Sequence, residues 1–268
     1  MKLHKVYDYV FVLLVYKNAT DLKDFFLHFD IPNSKVIVVN SYYNDANERE
    51  FKDIAEKYSA DFLSVPNKGY GAGNNRGCEY ALANYDFKYL VISNPDVAIR
   101  YYLPAERLPQ RAIIAPIIKT LKGKNQNPYS VYCNKWVDMI KYQLLKVNSW
   151  KLVMLYYIFI RLSREIYLFY TKIFSKKQRR IAAAHGSHLL IAKDALNILM
   201  PLYNERMFLF CEEEHLAQLA KASRIPIYYV KDIKITHKED GSINTTDINA
   251  NKMLKESFFE YYNHWYKE

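Results

Sequence analysis

The sequence predicts an α/β protein built around a largely parallel sheet. Apolar runs of strand length recur at residues 9–16, 35–39, 61–65 and 89–92, with helix-period segments between the first three. That alternation is the pattern of parallel strands joined by crossover helices. The runs at 9–16 and 35–39 are nearly continuous, as strands covered on both faces must be. With 268 residues, half of them hydrophobic, the chain has ample core for one large domain.

Residues 9–16 (YVFVLLVY) open the sheet, and Thr20 or Asp21 is placed to cap a helix through Leu22, Phe25 and Phe26. A second strand, 35–39, ends in Asn40-Ser41 and a polar loop with Asn44 and Asp45. Phe51, Ile54, Ala55 and Tyr58 stand at helical spacing within 48–58, and 61–65 makes the third strand. Next comes Asn67-Lys68-Gly69-Tyr70-Gly71-Ala72-Gly73-Asn74-Asn75-Arg76-Gly77, which holds 4 of the chain's 7 glycines and opens a helix running to about Tyr85. Glycines there let backbone approach a ligand, and a helix start offers free N–H groups to an anion. A dinucleotide fingerprint is excluded, because Asn74 stands where the third glycine is needed, and no Gly-Lys-Ser/Thr loop is present.

The strand at 89–92 stops at Asn94-Pro95-Asp96. Proline cannot donate to a sheet ladder and drives its predecessor out of the helical region. Asp96 is therefore expected just beyond the carboxyl end of a central strand, where ligands bind in open α/β sheets. Residues 111–119 form another strand and 123–128 a polar turn.

The net charge of +10 is uneven. From Cys133 to His185 there are 11 Lys/Arg against 2 acids, so +9 of it lies in this one segment. Residues 136–174 are rich in Leu, Ile, Tyr, Phe and Trp, yet the longest uncharged apolar stretch, 152–160, is too short to span a bilayer. Arg161, Arg164, Glu165 and Lys172 recur at helical spacing, and Lys176-Lys177-Gln178-Arg179-Arg180 follows. An aromatic and aliphatic helix with basic flanks predicts an in-plane helix on an anionic membrane surface. A nucleic-acid groove is a poor match for so apolar a segment, so no nucleic-acid partner is expected.

In the last third, 182–191 reads as a turn and strand and 194–200 as a short helix. Residues 205–210 lead into Cys211-Glu212-Glu213-Glu214-His215 and a helix through Leu216, Leu219 and Ala220. Strands at 226–230 and 233–236 precede His237, and 251–265 is a terminal helix. Three scattered cysteines without a Cys-x-x-Cys pair predict a reducing compartment. The first residues lead directly into a strand without a cleavage site, so no signal peptide is expected.

Three groups stand out together: Asp96 at a strand end, the acids 212–214 opening a helix, and His237 after a late strand. A carboxylate and an imidazole can hold Mn²⁺ or Mg²⁺, and a further carboxylate can accept a proton. The order of these pieces resembles the family 2 glycosyltransferases of the GT-A fold, particularly the bacterial rhamnosyltransferase-like branch. The resemblance rests on the opening strand to Tyr16, Val38-Val39-Asn40-Ser41, the 67–77 run, Asn94-Pro95-Asp96, Gly186-Ser187, Phe208-Leu209-Phe210 with Glu212-Glu213, and His237 before Gly241-Ser242. It covers roughly residues 6–245 outside the basic segment.

The resemblance implies a single GT-A domain: a Rossmann-like nucleotide-sugar-binding half (1–130), a helical membrane-associating insertion (133–180), and an acceptor and base half with a C-terminal helix (181–268). It implies that Tyr16, Asn40, Asp45, Asn67, Gly69, Gly73, Asn74, Asn75, Asn94 and Asp96 bind a nucleotide-diphosphate sugar. Asp96 and His237 would hold Mn²⁺ or Mg²⁺, and Glu213, with Glu212 beside it, would be the base of an inverting transfer. The acceptor implied is a lipid-linked saccharide in bacterial capsule or cell-wall synthesis, met by an enzyme bound peripherally on the cytoplasmic face of the membrane. The sequence departs from the family pattern at Lys17, where asparagine is usual, at Glu213, where aspartate is expected, and at His215, which replaces an acid. The alternative is an inactive membrane-bound nucleotide-sugar-binding protein, against which the three acids speak. Nucleotidyltransferases share the general fold, but their glycine- and Arg/Lys-rich N-terminal signature is absent.

Overall fold

A computed structural model describes residues 5–173, 178–239 and 250–267. Lys176, Lys177, Gly241 and Ser242, each used in the sequence reading, lie outside these residues. Four strands form a parallel half: β1 (Val6–Val15), β2 (Ser34–Ser41), β3 (Asp61–Val65) and β4 (Asp86–Ser93), in spatial order β3-β2-β1-β4. The helices α1 (Ala19–Leu27), α2 (Asp45–Lys57) and α3 (Tyr70–Asn84) supply the crossovers. Strand order reverses between β1 and β4, so a crevice opens beyond the carboxyl ends of these two strands.

Helix starts differ from the sequence reading. Asn18, rather than Thr20 or Asp21, caps α1 by accepting the Thr20 N–H, and Asp21 is buried in the first turn. Asn44 caps α2 in the same way through the Asn47 N–H, which draws Asp45 into the helix.

The glycines of the 67–77 run do another job than the expected ligand approach. A Cβ on Gly73 would meet the Leu14 side chain at 2.4 Å, and one on Gly77 would meet Val12 at 2.4 Å. These glycines let α3 lie close against β1. Gly69 has φ +101°, and a Cβ there would come within 2.1 Å of the Phe208 carbonyl oxygen, so only glycine fits this turn.

Beyond β4 the sheet becomes mixed. β8 (His188–Ala192) pairs antiparallel with β4 and with β6 (Ile113–Thr120), and β6 runs parallel to β9 (Ile227–His237). The two expected strands at 226–230 and 233–236 are one strand, irregular where Pro116 and Ile117 pair across it. Its first half also pairs with β7 (Gln178–Arg180) and its second with β5 (Val97–Tyr101). Neither β5 nor β7 was legible in the sequence. The basic cluster thus ends in an edge strand rather than a helix flank. A short helix, α6 (Lys193–Leu199), follows β8.

The basic segment forms two helices, α4 (Lys135–Lys146) and α5 (Trp150–Ile173). Its inner side packs on a small second core of Leu145, Val153, Met207, Cys211, Phe258, Tyr261 and Tyr262, shared with the terminal helix α8 (Ala250–Tyr266). Lys141 of α4 is buried there, 3.2 Å from Glu214 of α7 (Glu212–Ala222). Burial works against the Lys141 charge, and the Glu214 carboxylate more than offsets it, holding the ammonium pKa well above its usual value. Part of the basic excess is therefore structural. Lys141→Met strips a buried carboxylate of its cation and is expected to cost about 3–5 kcal/mol, with most of that recovered when Glu214→Leu is added. Urea unfolding midpoints of the two single variants and the double variant measure the coupling.

Candidate active site

Segments far apart in sequence meet in the crevice. The first is Asn94-Pro95-Asp96. The ladder of β4 ends at Ser93, and the chain crosses to begin β5 at Val97, which pairs with His237. The Lys238 N–H donates to the Asp96 carbonyl at 3.0 Å, which locks the two chain segments together. Asp96, only 3% exposed, then has Oδ2 3.1 Å from His237 Nε2.

The His237 ring is oriented by its other neighbours. Its Nδ1 lies 2.8 Å from Gln126 Oε1, while Gln126 Nε2 donates to Glu239 at 2.9 Å. The amide oxygen can only accept, so Nδ1 carries a hydrogen and Nε2 is the nitrogen turned to the Asp96 carboxylate. Beyond that contact Asp96 Oδ2 has no hydrogen-bond partner among the described residues. Such a pair fits a divalent cation, with Gln126 orienting the imidazole from behind. No group of three or more His, Cys, Asp or Glu side chains suited to a metal occurs among the described residues. Asp96 and His237 thus offer two donors, which suits Mg²⁺-like sites completed by a ligand's phosphate oxygens and water.

The second wall is built by Tyr70. Its hydroxyl donates to the Gly186 carbonyl at 2.9 Å and lies 3.4 Å from Asn94 Oδ1. Gly186 N–H in turn donates to Glu213 Oε1 at 3.1 Å, and Asn94 N–H donates to the Ser187 carbonyl at 2.8 Å. Burial, with the Glu213 and Glu212 charges behind it, holds the Tyr70 phenol well above its usual pKa, so it remains a donor. A Cβ on Gly186 would meet Glu213 Oε1 at 3.0 Å, so the contact needs a bare backbone. Asn127, fully buried, accepts from His185 N–H at 2.8 Å and fixes the start of this loop. His185 stacks edge-on to His237 with ring centroids 5.8 Å apart; burial, then His237, push its pKa down to about 3.

The three acids at the start of α7 have three environments. Phe210 and Cys211 both adopt left-handed backbone, φ 74° and 68°, a costly conformation for non-glycine residues. That bend aims the first turn of α7 into the cleft. Glu214 is spent on Lys141. Glu212 is buried with Oε1 unpartnered among the described residues, and burial followed by the Glu213 charge pushes its pKa up to about 8. Glu213 is half-buried and is pushed up to about 7 by burial and then by Glu214. A carboxylate poised near neutrality has the property a general base requires.

The sequence-derived donor residues divide into two groups. Tyr16, Asn40 and Asp45 do cluster at the carboxyl ends of β1 and β2. Tyr16 packs edge-on to Tyr43 at 5.7 Å, with Lys17 Nζ 4.0 Å above the Tyr43 ring, and Asp45 accepts from Tyr42 at 2.6 Å. Asn40 is buried, donates to Ser64 at 3.1 Å, and leaves Oδ1 unpartnered among the described residues. Half-exposed rings beside a buried amide can hold a flat heterocycle. Asn67, Asn74 and Asn75 are engaged with protein instead. Asn67 accepts from Gly69 N–H at 3.2 Å, Asn74 donates to the Tyr70 carbonyl at 3.0 Å, and Asn75 donates to the Tyr203 carbonyl at 2.9 Å. With Gly69 and Gly73 they shape α3, so Tyr70 is the member of the run that reaches the acids. Gln126, Asn127 and His185 were missed by the sequence reading. The only signal was two amides in a short turn before Pro128.

Among solved structures, the chain is similar to GalNAc-T7 with UDP, GalNAc and Mn²⁺, at TM-score 0.56 and 11% identity. The likeness covers 87% of this chain and 44% of that one, so this chain spans less than half the length of that protein. The chain is also matched to A197 from STIV at TM-score 0.46 and 9% identity, over 87% of this chain and 86% of that one. No family model matches the sequence, and no curated protein matches it. At 11% identity the first likeness carries the fold: a GT-A type α/β sheet flanked by helices.

Replacing Gln126 by Leu removes the acceptor that holds the His237 ring. Titration with Mn²⁺, the kind of cation this pair of side chains suits, is expected to show affinity lower by about 10-fold or more than the wild type, with the circular dichroism spectrum retained.

Proposed function

We propose that this chain is an inverting, divalent-cation-dependent glycosyltransferase that moves a sugar from a nucleotide-diphosphate donor to a saccharide hydroxyl. The observation that carries the reading is the buried Asp96–His237 pair at the switch point of a GT-A sheet. Across the same cleft lies a carboxylate tuned near neutrality, joined to Asn94 through Gly186 and Tyr70.

The chemistry follows from the side chains. A cation held by Asp96 and His237 would neutralise charge gathering on the departing diphosphate. Tyr16, Tyr43 and Asn40 bind the base end of the donor. Glu213 accepts the proton of the acceptor hydroxyl as that oxygen bonds to the anomeric carbon and the bond to the diphosphate oxygen breaks. Attack from the face opposite the leaving group inverts the centre. Glu213 rather than Glu212 takes this role because Glu212 is buried and Glu214 is neutralised by Lys141.

The order of motifs supports a place among the family 2 enzymes of the rhamnosyltransferase-like branch, which build bacterial surface polysaccharides. In that reading the acceptor is a lipid-linked saccharide and the enzyme works at the cytoplasmic face of the cell membrane. Slow hydrolysis of nucleotide sugars with Mn²⁺ is the first test, since it needs no acceptor. A panel of donors that all remain intact would remove the enzymatic reading.

Asp96→Ala is expected to abolish cation-dependent binding of a nucleoside diphosphate while the fold survives, as read by calorimetry with and without Mn²⁺. An unchanged cation-dependent affinity contradicts the assignment.

Glu213→Gln keeps the Gly186 hydrogen bond but cannot take a proton, so turnover should fall by about 10²–10⁴-fold with donor binding retained. The base works ionised, so wild-type kcat/KM should rise with pH through about 7, and the variant should lose that limb. Stability runs the other way. The fold raises the Glu213 pKa, so the native state holds the proton more tightly than the unfolded chain, and stability falls as pH climbs from the ordinary carboxylate range through about 7. Glu213→Gln removes that loss, and its Tm at pH 8 should exceed the wild-type value.

A further inference from the structure

The outer side of α5 is uncovered. Leu155, Ile158, Leu162, Ile166 and Phe169 are all exposed, Ile166 at 70% and Phe169 at 68%, and their spacings of 3 and 4 residues put them on one stripe. Of the 21 exposed large hydrophobic residues among the described residues, 13 lie between Trp136 and Tyr170, so the apolar exposure is a property of this segment. A groove of about 280 Å³ between α4 and α5 is lined by Val137, Ile140, Leu144, Leu152, Tyr156 and Phe159 among others, and is almost wholly apolar.

The exposed charges around this face are predominantly positive, with Glu165 the exception. Lys135, Lys146, Lys151 and Arg161 are exposed, while Lys141 is buried against Glu214. Of the two acids in the segment, Asp138 is buried and Glu165 is paired with Arg164 at 3.0 Å. A second copy of the chain would bring these same cations against one another. At 24 residues, α5 is about 36 Å long at the usual rise, yet no described helix is apolar enough to cross a membrane. Its length is offered sideways.

We propose that α4 and α5 dock the protein on the surface of an anionic bilayer, with the stripe from Leu155 to Phe169 immersed among acyl chains. The four exposed cations lie at headgroup level, and the groove takes hydrocarbon between the two helices. Apolar burial supplies most of the attraction and the cations select the anionic surface. The inner face of the same segment carries Lys141 to Glu214, one residue from Glu213, so the docking helices are built onto the acids of the cleft. This inference rests on the exposed face and stands whether or not the chain transfers sugar.

Co-sedimentation with vesicles of phosphatidylcholine alone, and of phosphatidylcholine mixed with phosphatidylglycerol, tests it. The protein should bind the mixed vesicles at low salt, at least about 10-fold more weakly the neutral ones, and less in high salt. The Ile166→Glu/Phe169→Glu variant, altered only at exposed positions, should lose binding by about 10-fold or more while keeping its circular dichroism spectrum and its donor hydrolysis. Wild-type protein that ignores anionic vesicles at low salt overturns the proposal. So does a dimer in sedimentation velocity that the same variant dissociates, since the face would then belong to a second copy. Loss of donor hydrolysis in the wild type, with vesicle binding intact, strikes the enzymatic reading alone.

Discussion

The break in the ladder at Pro95 is the constraint on which the site depends. Without a backbone N–H at that position, β4 stops at Ser93, and the chain leaves the line of β1 and β4 to pair with β9 instead. That departure opens the crevice and brings Asp96 to the end of β9. Because β9 is held by β6 on one side and by β5 on the other, His237 has little freedom to move away. The close approach of the Asp96 carboxylate and the His237 imidazole is thus a product of strand pairing.

Electrostatics then separates residues that look alike. Glu212, Glu213 and Glu214 are consecutive on one helix start, whose dipole favours negative charge at all three. Burial opposes it, and neighbours decide the outcome. Lys141 cancels the charge of Glu214, the Gly186 N–H donates to Glu213, and Glu212 faces the interior with one oxygen unmatched among the described residues. The left-handed pair Phe210-Cys211 sets which of them points where, at a backbone cost the surrounding core must offset.

The helical insertion joins two tasks. Its inner side completes the small core beneath α8 and neutralises Glu214; its outer side leaves Leu155, Ile158, Leu162, Ile166 and Phe169 exposed. A segment read from composition as a membrane-associating insertion is therefore tied to the acids it accompanies, and one of its cations, Lys141, is used inside the fold.

The sequence by itself determined the elements whose signal is local. Apolar runs of strand length fixed β1 to β4, helical spacing fixed α2 and the helix after the glycine run, and proline fixed where β4 must end. Asp96, His237 and the acids at 212–214 were legible because carboxylates and imidazoles at strand and helix ends are few. Tertiary structure alone decided the rest. β5 and β7 exist only through their pairing with β9, and neither five nor three residues carry enough periodicity to announce themselves. Gln126 and Asn127 look like an ordinary polar turn until β9 and the 183–187 loop come to meet them. The glycines of the 67–77 run predict a close approach, but only the packed sheet shows that it is made to Leu14, Val12 and Phe208. Long-range pairing, burial and the choice among three adjacent acids depend on residues well separated in sequence, 27 positions for Gly186 and Glu213 and 111 for Gln126 and His237, and such distances leave no mark on local sequence.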